Sequence, residues 1–116
     1  MNKEPMKRDI LGFMYSERMK WALLTASLML DSFEDLNEQE RPIALNILAT
    51  FVRAVRSEMT LVANVMEDRM WQTLGGKIEL MEGYIRLGQM DAARQELSRT
   101  ISKVTTQSGQ AMNSLE

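Results

Sequence analysis

A chain of 116 residues, 45% hydrophobic and 26% charged, has the length of one ordinary domain and is too apolar for intrinsic disorder. The absence of cysteine and histidine excludes disulfide frameworks, thiolate and imidazole metal sites, Ser-His-Asp and Cys-His catalysis, and the Glu-x-x-His pairs of di-iron bundles. A net charge of −2 opposes non-specific attraction to nucleic acid or to an anionic membrane.

Two Pro and six Gly are too little punctuation for the many short strands of an all-β fold. The rest is rich in residues that favour helix. The reading is all-α: an elongated antiparallel helical bundle of three to four helices, over about 5–33, 38–73, 77–87 and 89–112. It forms a single domain, 1–116, with ends expected to fray at about 1–4 and 106–116.

The first helix is predicted to begin near Pro5, whose missing N–H costs nothing in a first turn. The opening MNKEPMKRD has no apolar run beside it and does not read as a signal peptide. From Trp21 to Leu30 the helix is apolar nearly all round, which predicts enclosure. That stretch is too short for a bilayer core, which needs about 20 residues. The expected setting is cytoplasmic, with no membrane contact.

Asn37 and Glu40 have the spacing of a capping box, and Pro42 suits the first turn of the helix that follows. In that helix Leu45, Leu48, Val52, Val55, Met59, Val62 and Met66 recur at spacings of three and four, a heptad seam. A second apolar set, Ile47, Phe51, Ala54, Leu61 and Val65, widens the arc past half the circumference. One neighbour does not cover such an arc, so at least two are expected. After Met66 the pattern drifts through Met70, Leu74 and Ile78, and Gly75-Gly76 falls inside the drift. A break is predicted there, the alternative being one bent helix from 38 to 87.

Gly88 fits the left-handed position that ends a helix, and Asp91 the first turn of the next. The last helix carries Met90, Ala93, Leu97, Ile101, Val104 and Ala111 on one face. The stretch GYIRLGQMDAARQEL resembles the helix-turn-helix of a tetratricopeptide repeat. The likeness spans about fifteen residues, no second copy is visible, and it implies shared turn chemistry in a helical hairpin and nothing about function.

No catalytic or cofactor-binding constellation emerges. Glu34-Asp35 and Glu67-Asp68 are adjacent pairs that diverge on a helix and serve to solvate helix ends. Gly75-Gly76-Lys77 lacks the first glycine, the hydroxyl residue and the preceding strand of a phosphate loop. The eleven Met are read as core filler before any thioether metal site. The chain is thus expected to be no enzyme and to hold no metal or cofactor.

Excess apolar helix surface remains, and it predicts a homodimer through the first two helices, or another protein on the same face. The candidate interface is Trp21, Leu24, Leu28, Ile47, Phe51, Leu61, Val65, Met66 and Met70. The expected function is a non-catalytic protein–protein interaction module: a dimeric adaptor, chaperone or regulatory subunit. The alternative is an accessory subunit of a nucleic-acid-binding complex or a transcription regulator, using Arg53, Arg56, Arg94, Arg99 and Lys103 against phosphate if they form one positive stripe.

Overall fold

The computed structural model describes residues 4–115. Four helices follow one another: α1 (Glu4–Phe33), α2 (Arg41–Met66), α3 (Arg69–Arg86) and α4 (Met90–Leu115). Each packs on its sequence neighbours and α4 closes on α1, while the diagonal pairs α1/α3 and α2/α4 stay apart. The result is an up-down-up-down bundle. Its extents of 61 × 23 × 17 Å and radius of gyration of 15.6 Å exceed the ~13 Å of a compact chain this long, so the elongated bundle read from the sequence is the fold.

Every helix supplies one seam to the core at steps of three and four residues. From α1 come Met19, Leu23, Ala26 and Leu30, continued toward the N-terminus by buried Ser16. From α2 come Leu48, Val52, Val55, Met59, Val62 and Met66, the seam expected there apart from its first member, half-buried Leu45. From α3 come Trp71, Leu74, Ile78, Met81 and Ile85, and from α4 Ala93, Leu97, Thr100, Val104, Ser108 and Ala111. Small residues dominate where α1 meets α4. A Cβ added at Gly12 would stand 3.5 Å from Met66 Cε and 3.9 Å from the Cβ of Ala111. Both are ordinary contacts that an Ala at 12 would make, and the closeness of α1 and α4 rests on buried Ser16, Ala26, Ser108 and Ala111.

Turn chemistry punctuates the chain. The Asn37–Glu40 box closes as expected: the Asn37 N–H donates to Glu40 Oε1 at 3.1 Å and the Glu40 N–H to Asn37 Oδ1 at 2.9 Å. At the α3–α4 junction Gly88 has φ 75°, the Gln89 N–H reaches the Tyr84 carbonyl at 2.8 Å and the Gly88 N–H reaches that of Ile85 at 3.0 Å. These two bonds make a Schellman motif.

The chain reversal after α2 differs from the expected one. It falls at Glu67-Asp68, eight residues before Gly75-Gly76, and excludes the single bent helix. Glu67 turns left-handed (φ 51°), and Asp68 caps α3 by accepting from the Met70 N–H at 2.9 Å. A non-glycine residue in that region costs about 1–2 kcal/mol, and an Asp cap returns about 1 kcal/mol. The larger gain is the new seam beginning at Trp71, which the reversed chain delivers to the core. The apparent drift through Met70, Leu74 and Ile78 was two seams read as one.

Gly75 and Gly76 therefore lie inside α3, and a Cβ at either meets nothing within 4 Å. Replacing both by Ala is expected to stabilise the fold by about 2 kcal/mol, from a helix-interior glycine penalty near 1 kcal/mol each. Urea denaturation measures it; no gain would mean the pair serves a need the fold does not show. A second difference concerns the last helix. It continues through the expected fraying region from 106, because Ser108 and Ala111 are buried against α1. Of the fraying expected at the two ends, residues 1–3 and 116 lie outside the described residues.

Candidate functional site

Twelve large apolar side chains are exposed among the described residues, and nine of them belong to α1 and α2. On α1 these are Met6, Ile10, Met14, Trp21 and Leu28. At 100° per residue they fall within about 80° of arc, turned away from the core seam, with half-buried Leu24 among them. On α2 exposed Ile43, Ile47, Leu61 and Val65 share a similar arc with half-buried Phe51 and exposed Ala54. The enclosure expected for the second half of α1 is thus absent in the single chain: Trp21 is 63% exposed and Leu28 68%.

The two stripes run side by side. Arg18 on α1 pairs with Glu58 on α2, the Arg8 guanidinium donates to the Met66 carbonyl, and Leu28 and Ile47 line one open groove of about 320 Å³. With α1 and α2 antiparallel, these contacts set the stripes level row by row. Continued along both helices, that register puts Ile10 level with Val65, Met14 with Leu61, Trp21 with Ala54 and Leu24 with Phe51, in step with Leu28 and Ile47 in their shared groove. Glu17 and Glu58 occupy the remaining row, with Arg18 at the junction. The face is apolar toward both ends and charged across its middle.

Seven of the nine residues expected at an interface lie on this face: Trp21, Leu24, Leu28, Ile47, Phe51, Leu61 and Val65. Two do not. Met66 is 5% exposed, because its heptad position turns it into the core. Met70 belongs to α3 and lines a groove with Lys103 and Thr106 of α4, a consequence of the reversal at Glu67-Asp68. The sequence reading missed Met6, Ile10, Met14 and Ile43 as exposed. Their grouping was legible, since Ile10, Met14, Trp21, Leu24 and Leu28 share one heptad register that excludes Leu23, Ala26 and Leu30, but the register does not say which of the two faces is exposed.

The basic residues considered for phosphate do not form one stripe. Arg53 and Arg56 turn toward α3, where buried Glu82 lies 3.9 Å and 3.5 Å from them and Glu79 lies 3.7 Å from Arg56. Arg86 also reaches Glu82, at 2.9 Å. Arg94 sits on the α1 side of α4 with Asp31, Glu34 and Asp91 at 3.9, 2.9 and 3.3 Å, and donates to the Leu30 carbonyl. Arg99 pairs with Glu96 at 3.0 Å. Lys103 lies beside Lys77 of α3; a hydrogen bond with that amine and the repulsion between the two hold its pKa below the usual lysine value. Carboxylates neutralise the four arginines on three different sides of the bundle.

Comparison with protein-family models, with curated proteins and with solved structures finds no match for this chain. Its own geometry therefore has to speak for it. Among the described residues no group of three or more Asp, Glu, His or Cys is placed to hold a metal ion, and no helix is long and apolar enough to cross a membrane. What stands out among the described residues is a small all-α bundle with an uncovered apolar face.

Glu17, in the charged row, ties that face to α4. Its carboxylate accepts from the Ser108 hydroxyl at 2.5 Å and from Lys20 at 2.9 Å. The Ser108 hydrogen bond, then that of Lys20, hold the carboxyl below the usual glutamate range. A depressed folded-state pKa contributes stability that is present above the unfolded value, about 4.3, and is lost as pH falls through the folded value. Ser108→Ala is accordingly expected to destabilise the chain at pH 7 and to cost less by pH 3. Urea titrations of both chains at the two pH values check this; an equal cost at both would assign the loss to packing alone.

Proposed function

We propose that this chain is a non-catalytic helical protein–protein interaction module, a dimeric adaptor or regulatory subunit that pairs with a second copy of itself through the outer face of α1 and α2. The two level stripes carry this reading. Their nine exposed large side chains leave open an apolar area on the order of 800 Å². The charged row divides this area into two patches, each within the about 300–600 Å² of the largest patch on a typical monomer, and together they match the about 800 Å² that a standard interface takes from each partner. A face of that size costs too much in water to stay bare, and self-pairing removes it from both copies at once.

No part of the reading requires chemistry at the site. The absence of cysteine suits a reducing cytoplasm, where this module is taken to work. Light scattering behind size exclusion at low micromolar concentration tests the proposal. Twice the chain mass is the expected result. A mass of one chain, unchanged up to hundreds of micromolar, would sink it.

A further inference from the structure

The charged row in the middle of the face decides how two copies fit together. Two identical faces meet about a two-fold axis lying between them, and that axis either crosses the helices or runs along them. An axis crossing the helices at the charged row sets Arg18 against Arg18 and Glu58 against Glu58. The same axis moved along the stripe to Trp21 lays the Arg18–Glu58 pair on the Leu24 and Phe51 row, stranding charge on apolar surface.

An axis running along the bundle does neither. It lays each α1 on the α2 of the other copy, with every row kept level. Arg18 then meets the partner's Glu58 and Glu58 meets the partner's Arg18. Together with the ion pair already made within each chain, the two Arg18 and two Glu58 side chains alternate in sign around the axis, while each Glu17 carboxylate stays turned to Ser108 and Lys20 at the α4 edge of the face. Trp21, the largest side chain of the face, meets the partner's Ala54, the smallest. The other rows set Met14 on Leu61 and Leu28 on Ile47, apolar on apolar.

We infer that the partner for this face is a second copy related by a two-fold axis parallel to the helices, α1 against α2 in both directions, locked in register by the Arg18–Glu58 ring. The inference rests on the self-pairing proposed above and specifies its geometry. It also leaves the α3/α4 sides pointing away from each other, so that the dimer presents two identical outer surfaces.

Because the chain has no cysteine, single cysteines report the arrangement cleanly. Leu28→Cys and Ile47→Cys alter exposed positions (68% and 57%), and circular dichroism confirms their fold. Oxidised separately, neither is expected to cross-link, since equal residues sit on a diagonal beyond the ~7 Å limit for Cα atoms. Oxidised as an equal mixture, they are expected to give a covalent heterodimer.

The charges give a second readout. Arg18→Glu alone and Glu58→Arg alone should each weaken self-association at least tenfold, and an equal mixture of the two should restore it. Two outcomes would overturn the axis while leaving self-pairing intact: a dimer in which Leu28→Cys links to itself, or a dimer whose mixed cysteines never link. A failure of the charge mixture to recover dimer removes the ring. A chain that is monomeric by mass removes self-pairing, and with it this arrangement.

Discussion

Trp71→Ala is expected to cost about 3–5 kcal/mol of folding stability, the loss seen when a fully buried large aromatic side chain is truncated. Trp71 has no exposed surface and opens the α3 seam directly after the cap at Asp68. A domain of this size is stable by only about 5–15 kcal/mol, so the variant loses about a fifth of its margin or more. The midpoint should fall by roughly 2 M urea. Trp71→Phe discriminates the cause. The indole N–H finds no hydrogen-bond partner among the described residues, and an unpaired buried donor itself costs about 1–3 kcal/mol. Phe keeps most of the ring and discards that donor, so it should cost less than half as much as Ala. Equal costs would show that the N–H is bonded after all.

The other tryptophan should behave in the opposite way. Trp21→Asp is expected to cost folding stability no more than about 1 kcal/mol, from a poorer helix former and its repulsion with Glu17 one turn away, since Trp21 is 63% exposed. Self-association, by contrast, should weaken at least ~30-fold, the equivalent of a hot-spot loss of 2 kcal/mol or more. The surroundings reinforce the effect: Lys20 Nζ lies 5.6 Å from the Trp21 ring, and the row holds Ala54 beside it. A dilution series by light scattering, run alongside a urea titration, separates the two quantities. A variant that unfolds would place Trp21 in the core, and one that dimerises like the parent would remove it from the interface.

Most of the α2 reading needed no coordinates. The buried seam from Leu48 to Met66 and the second set from Ile47 to Val65 are both visible as periodicities, and the Asn37–Glu40 box and Gly88 mark junctions by local chemistry alone. Local chemistry was silent at Glu67-Asp68. Glutamate is a poor left-handed residue, and Asp68 reads as a cap only once the chain is known to turn there. The two glycines drew attention because their intrinsic cost is high, yet α3 runs through them unbroken. Its seam from Trp71 to Ile85 compensates through tertiary packing, which propensity does not register.

The choice between two apolar faces lay beyond the sequence for a related reason. On α1 one set contains Trp21, Leu24 and Leu28 and the other Leu23, Ala26 and Leu30, and hydrophobicity alone ranks the first at least as high. Packing reversed that order. Ser16, Ala26, Ser108 and Ala111 are small enough for α1 and α4 to approach closely, so the face with small residues went inside and the face with the tryptophan stayed out. By itself the sequence determined helix, the reversals at Asn37–Glu40 and Gly88, and the two seams of α2, because period and capping act within a few residues. Which seam became core, where α2 reversed, and that two uncovered stripes lie level with a charged row between them were decided by tertiary structure, since each depends on the volume and position of side chains dozens of residues away.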